Sequence, residues 1–85
     1  MEMFTYKITD PVGIHARPAG QLVKMVKGLS SKVTITKGDR SAAATKLIAV
    51  MGLGVQSGDT ITVSVEGANE KTDAARLKSF LEERL

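Results

Sequence analysis

The apolar residues of this chain change their spacing several times, and this change of period most constrains how the chain can fold. From Phe4 to Ile8 they alternate with polar residues, which predicts a strand with one buried face. From Ala16 to Leu29 they fall three or four positions apart, which predicts an amphipathic helix that ends at Gly28. The two periods together indicate a mixed α and β fold.

Both periods continue to the end of the chain. A tight turn at Gly38-Asp39 separates two further strands, and the clearest alternation follows Gly58-Asp59. Asn69 is placed to cap the last helix. The predicted strands are 32–37, 40–43 and 60–66, and the predicted later helices are 46–51 and 70–85. The order βαββαβα predicts an α+β sandwich, with helices on one face of a mostly antiparallel sheet.

The size and the side-chain inventory exclude several classes of protein. A chain of 85 residues buries only about 60% of its unfolded surface, so we expect one domain over residues 1–85 with one core. The absence of cysteine excludes a disulfide framework, a thiolate metal site and a cysteine nucleophile. The single histidine, His15, cannot form a zinc cluster. We therefore expect no metal, no cofactor, and chemistry at the surface.

The positive charge is concentrated in the first half of the chain. The net charge is +3, and residues 1–40 hold seven Lys and Arg against three Asp and Glu. A basic patch there suits an acidic partner or an anionic ligand. Nucleic acid is the weaker choice, because only three residues are aromatic and two of them are predicted to be core. We see no signal peptide, and the apolar run from Leu47 to Val55 is too short to cross a membrane, so we expect a cytoplasmic protein.

One segment, Gly13–Ala19, carries the residues suited to chemistry. His15 directly precedes the predicted helix, where unpaired backbone N–H groups favour an anion. Arg17 in the first turn can hold phosphate oxygens, and Pro18 fixes the turn without losing a hydrogen bond. The helix end and Arg17 both disfavour a protonated ring, and a neutral ring nitrogen is a nucleophile. These residues indicate a histidine that accepts and releases a phosphoryl group; a solvated loop histidine beside an incidental arginine is the alternative.

The motif Gly13-Ile14-His15-Ala16-Arg17-Pro18-Ala19 resembles the active-site motif of HPr, the histidine-containing phosphocarrier family of the bacterial phosphoenolpyruvate:sugar phosphotransferase system. The segment Val50–Val55 before Gly58-Asp59 supports the resemblance, which covers the whole chain. It implies an open-faced β-sandwich with four antiparallel strands in the order 1-4-2-3 and three helices on one face.

The resemblance also implies a function. His15 would take phosphate on Nδ1 from enzyme I and pass it to EIIA domains of sugar permeases, with Arg17 and the backbone of Ala16 and Arg17 stabilising the phosphate. Such a protein is a stoichiometric carrier, although it is often classed with transferases, and we expect a monomer. Two alternatives stay open: a paralogue in a regulatory phosphorelay not dedicated to sugar uptake, and a regulator of the same fold that only binds.

The short second helix is predicted to provide a docking surface. Its apolar stretch cannot be buried on all sides, so we expect some side chains to be exposed, while Val50 and Leu53 are predicted to be core. An ordinary core helix is the alternative. The resemblance places Leu47, Ile48 and Met51 at family positions that contact enzyme I and EIIA. Lys24 and Lys27, together with Arg17, would form a basic rim against acidic partners.

The chain departs from the family pattern at Lys46. Many members from low-GC Gram-positive bacteria carry there a regulatory serine that an ATP-dependent kinase phosphorylates. Lysine cannot be phosphorylated by such a kinase, and it places a positive charge where the modification adds a negative one. Thr45 lies beside it, but one residue along a helix turns a side chain by about 100°, and Ser41 is more distant. We therefore do not expect serine-based regulation.

Overall fold

A computed structural model describes all 85 residues, and it has the predicted order of elements. These are β1 (Glu2–Lys7), α1 (Ala16–Lys27), β2 (Lys32–Lys37), β3 (Arg40–Ala43), α2 (Leu47–Gly52), β4 (Thr60–Glu66) and α3 (Glu70–Arg84). The strands form one antiparallel sheet in the order β1-β4-β2-β3. The α+β class and the strand order 1-4-2-3 implied by the resemblance are confirmed.

The central strands β4 and β2 supply the sheet side of the core. Val63 pairs with Phe4 of β1 on one side and with Ile35 of β2 on the other. Ile61, Val63 and Val65 are buried while the residues between them are partly exposed, as a period of two requires. The alternation therefore aligns apolar side chains on the face of the sheet that the helices cover.

The helices α1 and α3 each bury one side against this face. In α1 the buried residues are Pro18, Ala19, Leu22, Val23 and Val26. Ala16, which the periodicity assigned to the apolar stripe, is exposed, because it lies in the first turn beside the half-exposed His15 and ahead of the core. In α3, Leu77 and Leu81 are buried. None of the three helices combines the length and the apolar character that a membrane span requires.

The start of α3 is held differently from the prediction. Asn69 is the N-cap residue, but its side chain makes no capping bond; its amide nitrogen instead donates to Ser30 Oγ at 3.0 Å. Asp73 is buried and accepts a hydrogen bond from Ser31 Oγ. These contacts attach the start of the helix to the segment that enters β2.

Candidate phosphorylation site

The loop between β1 and α1 is fixed by hydrogen bonds on both sides of the chain. Asp10 Oδ1 accepts the backbone N–H of Val12 at 2.8 Å, and the backbone oxygen of Asp10 accepts that of Gly13 at 3.0 Å. This is the turn that an aspartate favours at its first position. The backbone N–H groups of Thr9 and Asp10 donate to the carbonyl oxygen of Leu85 at 2.7 and 2.9 Å. The loop thus begins at a defined place on the end of α3.

The same loop packs against the segment that follows α2. Gly13 is buried with φ +80, and a Cβ atom there would lie 2.7 Å from Gln56 Cα and closer still to the carbonyl oxygen of Val55. The backbone N–H of Ile14 donates to that same oxygen at 3.1 Å. Only glycine fits this conformation at this distance, so the close approach fixes the backbone two residues before His15.

His15 is the N-cap residue of α1 and lies on open surface. Its backbone is extended, its carbonyl accepts the N–H of Ala19 at 2.9 Å, and its side chain makes no capping bond. The side chain is 41% exposed. The backbone N–H groups of Ala16 and Arg17 donate to no protein group. The predicted phosphate-binding amides are thus available beside the imidazole, which is the arrangement an anion requires.

Arg17 is exposed in the first turn of α1, and its guanidinium forms no ion pair within the protein. Lys24 is also exposed, and a spacing of seven residues, about two turns, places it on the same side of the helix as Arg17. Lys27 is exposed in the last turn. The three predicted cations therefore lie along α1 and are exposed to solvent. Arg17 is the one nearest to the end where His15 lies.

The structure adds a carboxylate that sequence analysis missed. Asp10 Oδ1 lies 3.8 Å from Nε2 of His15, and no other carboxylate lies within ion-pair distance of the ring. The surroundings of the imidazole are therefore not purely cationic, contrary to the expectation from the helix end and Arg17 alone. An acidic residue just before a Pro and Gly turn and five positions ahead of the histidine was the available signal.

A second feature that sequence analysis missed stabilises the segment 54–59, against which Gly13 packs. Lys37 Nζ donates to the carbonyl oxygen of Gly54 at 2.8 Å and lies 3.0 Å from Asp59 Oδ2. The same Oδ2 accepts the backbone N–H of Gln56 at 2.8 Å. The Gln56 hydrogen bond and, after it, the Lys37 ammonium hold the pKa of Asp59 below its usual value. The segment 54–59 is thus attached to the end of β2.

The second helix exposes the apolar side chains predicted to dock partners. Ile48 is 80% exposed, Leu47 38% and Met51 37%, whereas Val50 is fully buried, and Leu53 just after the helix is buried as predicted. α2 packs against α1, the helix that begins beside His15. Val12, at the tip of the β1–α1 loop, is a further exposed apolar residue that sequence analysis did not single out. The docking role of these residues stays a prediction.

Lys46 is the N-cap residue of α2, and its side chain makes no capping bond. A cation at this end of a helix opposes the helix dipole. Thr45 is exposed beside it, and Ser41 is on β3 with its hydroxyl 2.9 Å from that of Thr36. Position 46 is thus occupied by a cation at the start of α2, and the expected lack of serine-based regulation stays a prediction.

Comparison with known proteins gives a family and close structural neighbours. The family described as "PTS HPr component phosphorylation site" matches residues 3–83. The phosphocarrier protein HPr of Buchnera aphidicola subsp. Acyrthosiphon pisum is 39% identical over 91% of each chain. The multiphosphoryl transfer protein of Xanthomonas campestris pv. campestris is 35% identical over 95% of this chain, which spans only 10% of that longer protein.

Solved structures agree with this family. HPr-C-His from Thermoanaerobacter tengcongensis superposes with a TM-score of 0.93 at 30% identity, covering 99% of this chain and 94% of that one. An HPr dimer from the same organism superposes with a TM-score of 0.76 at 30% identity, covering 98% and 95%. The fold is therefore shared over the whole chain, and one of its relatives is known as a dimer.

Proposed function

Because the chain belongs to the HPr family of the phosphotransferase system, we propose that it carries a phosphoryl group on His15, from phospho-enzyme I to EIIA domains of sugar permeases. The phosphocarrier role in this system comes with the family; the residues and the two partners are our proposal. The observation that carries it is the half-exposed imidazole of His15 at the start of α1, beside two backbone amides without acceptors.

The geometry supports a simple transfer. Nδ1 of a neutral ring attacks the phosphorus, and the donor nitrogen leaves with the electron pair of the broken bond. Such a transition state is loose, so the protein contributes position and charge. The amides of Ala16 and Arg17 and the Arg17 guanidinium would bind the phosphate oxygens. Taking the phosphoryl group from one partner and giving it to the next are the same type of reaction, with His15 first as acceptor and then as donor. One site would therefore serve both partners.

The partner surface would consist of the exposed side chains of α2 and the cations of α1. Leu47, Ile48 and Met51 would supply apolar contacts, and Lys24 and Lys27 a basic rim that steers acidic partners. A carrier must leave each partner quickly, which a small interface permits. For the free carrier we propose a cytoplasmic monomer formed by one HPr domain, since a partner copy on α2 would compete with both proteins. Sedimentation of the purified chain tests this against the dimer of the relative.

A second role, in a regulatory phosphorelay, is favoured by one observation. At the N-cap of α2 this chain has Lys46, where the resemblance implies a phosphorylatable serine in many relatives, so we propose that it lacks that switch. A binding-only role is less well supported, since a pure binder needs neither a half-exposed imidazole nor an arginine without a carboxylate partner.

The test is transfer of label from phosphoenolpyruvate. With purified enzyme I, we expect acid-labile phosphate on the protein and none on His15→Ala, which removes the acceptor. Lys71→Ala, an exposed change on α3, serves as the folded control. Onward transfer to a sugar-specific EIIA supports the uptake role, while labelling from enzyme I without onward transfer to such an EIIA supports the regulatory one. Unchanged labelling of His15→Ala would refute the proposal, and label from ATP and the kinase on Thr45 or Ser41 would refute our view of Lys46.

A further inference from the structure

We propose that Asp10 is a positioning residue for phosphoryl transfer: its carboxylate keeps a proton on Nε2 of His15 and so leaves the lone pair on Nδ1. This deepens the proposed function and rests on it, because it concerns the same imidazole. The proposal starts from the distance of 3.8 Å between Asp10 Oδ1 and His15 Nε2. It assigns to Asp10 a role that neither the motif nor the helix end supplies.

The carboxylate is held in place by the loop. Oδ1 accepts the backbone N–H of Val12, the backbone oxygen of Asp10 accepts the N–H of Gly13, and the backbone N–H of Asp10 donates to Leu85. Three hydrogen bonds therefore fix the residue from both sides, and the oxygen that faces the ring is one of the fixed atoms. The Asp10 side chain is 24% exposed, against 41% for His15, so the pair is only partly hydrated.

The distance suits a hydrogen bond that forms with a small movement. An N–H to oxygen hydrogen bond spans about 2.7 to 3.2 Å, so the ring needs to move by less than about 1 Å. An ionised carboxylate only accepts, and a neutral imidazole carries one N–H and one lone pair. Asp10 therefore favours the form with hydrogen on Nε2, and in that form Nδ1 is the nucleophile.

The same contact acts through the whole transfer. When Nδ1 bonds to phosphorus, the electron pair of the donor's bond to phosphorus returns to the donor, and the ring gains a positive charge shared with Nε2–H. Asp10 faces that charge and stabilises the phosphorylated ring without taking the proton. When the acceptor protein attacks the phosphorus, the pair of the bond between Nδ1 and phosphorus returns to Nδ1. The proton stays on Nε2 in both steps, so each step balances without a further reactant.

The experiment separates the charge of Asp10 from its role in the turn. Asparagine also forms this type of turn, so Asp10→Asn keeps the loop and removes the charge, while Asp10→Ala removes both. The matched control is Asp39→Asn, the same change in an exposed turn between β2 and β3. The two readouts are the ratio of the His15 tautomers, from ¹⁵N and ¹H NMR at about pH 9 where an imidazole is neutral, and the rate of transfer from enzyme I.

We expect the fraction of His15 with hydrogen on Nε2 to fall from the unaltered protein to Asp10→Asn and further to Asp10→Ala. We expect the kcat of transfer to Asp10→Asn to fall about fivefold at unchanged KM, the equivalent of about 1 kcal/mol. Asp39→Asn should match the unaltered protein in both readouts. Tautomer ratios in Asp10→Asn and Asp10→Ala equal to the control would overturn the proposal. Absence of label on His15 in the unaltered protein would overturn the proposed function instead.

Discussion

The β1–α1 loop and the helix α2 are both assigned to the proposed transfer, but they are built in opposite ways. In the loop, Val12, Gly13 and Ile14 each donate a backbone hydrogen bond, and Gly13 meets neighbouring backbone with no room for a side chain. In α2 only Val50 is buried, and the exposed side chains have freedom to adapt. This contrast agrees with the proposed roles, because a nitrogen that forms a bond needs a fixed backbone, whereas contact with several partners needs adjustable side chains.

The two regions also differ in what keeps them folded. A helix of six residues is too short to be stable alone, so α2 depends on the burial of Val50 and on its contact with α1. The loop depends on hydrogen bonds and on one glycine. The comparison can therefore be tested by substitutions that affect one region and spare the other.

The largest effect on stability is expected where Gly13 packs against Val55 and Gln56. Gly13→Ala places a Cβ against the backbone of Val55 and Gln56 at positive φ, and should lower the free energy of unfolding by about 3 kcal/mol or more. The matched control is Gly54→Ala, at φ +66 with no atom within 4 Å of the new Cβ, which should cost only about 1 kcal/mol. Urea unfolding measures both. Equal losses would mean that the close approach does not matter.

The next effect separates the two sides of α2. Val50→Ala removes two buried methyl groups and should cost about 2 kcal/mol in urea unfolding. Ile48→Ala on the same helix should cost less than about 0.5 kcal/mol, because the side chain is 80% exposed. A large loss for Ile48→Ala would show that this side chain stabilises the fold and is not reserved for partners.

The third effect concerns docking and not stability. Ile48→Glu replaces an exposed apolar side chain with a negative charge, and should raise the KM of enzyme I for this protein about tenfold while leaving kcat unchanged. Met3→Glu is the matched control, since Met3 is 61% exposed on the face of β1 away from the core. Equal KM values for the two variants would remove α2 from the interface.

The smallest effect on stability depends on pH and concerns Asp59, in the segment against which the loop packs. The pKa of Asp59 is lowered by the Gln56 hydrogen bond and then by Lys37, so its contribution to stability is present above the unfolded value of 3.8 and is lost as the pH falls through the folded value. Lys37→Ala should therefore lower the urea midpoint at about pH 7, and this deficit should shrink progressively as the pH is lowered below 3.8. Lys32→Ala, exposed on the same strand, is the control. A deficit that is independent of pH would exclude the ion pair as its cause.

The features that the sequence predicted are the local ones. The bounds of β2, β3 and β4 and the end of α1 at Gly28 follow from periodicity and from turn residues a few positions away. The strand order came from the resemblance, because alternation shows which face is buried but not which strand is the neighbour. The motif located His15 and Arg17, but their roles stay predictions.

Most of the features that the sequence did not predict depend on residues far apart in the chain, and one depends on how a turn folds back. Gly13 meets Val55, and Lys37 meets Gly54 and Asp59, only after the sheet and α2 have come together. The carboxylate of Asp10 reaches the ring because the turn folds back, which periodicity does not describe. Asn69 was placed correctly, but its capping bond was not formed because Ser30 provided another partner.

The hydrogen bonds from Thr9 and Asp10 to Leu85 bear on the stage of folding at which the loop that holds His15 takes its final geometry. They join residues separated by nearly the whole sequence, so the loop that holds His15 is complete only after α3 has packed. Closing a contact of such long range costs more chain entropy than closing a local turn. A nascent or partly unfolded chain would then present the histidine without its geometry, and phosphoryl transfer would itself report that the whole molecule has folded.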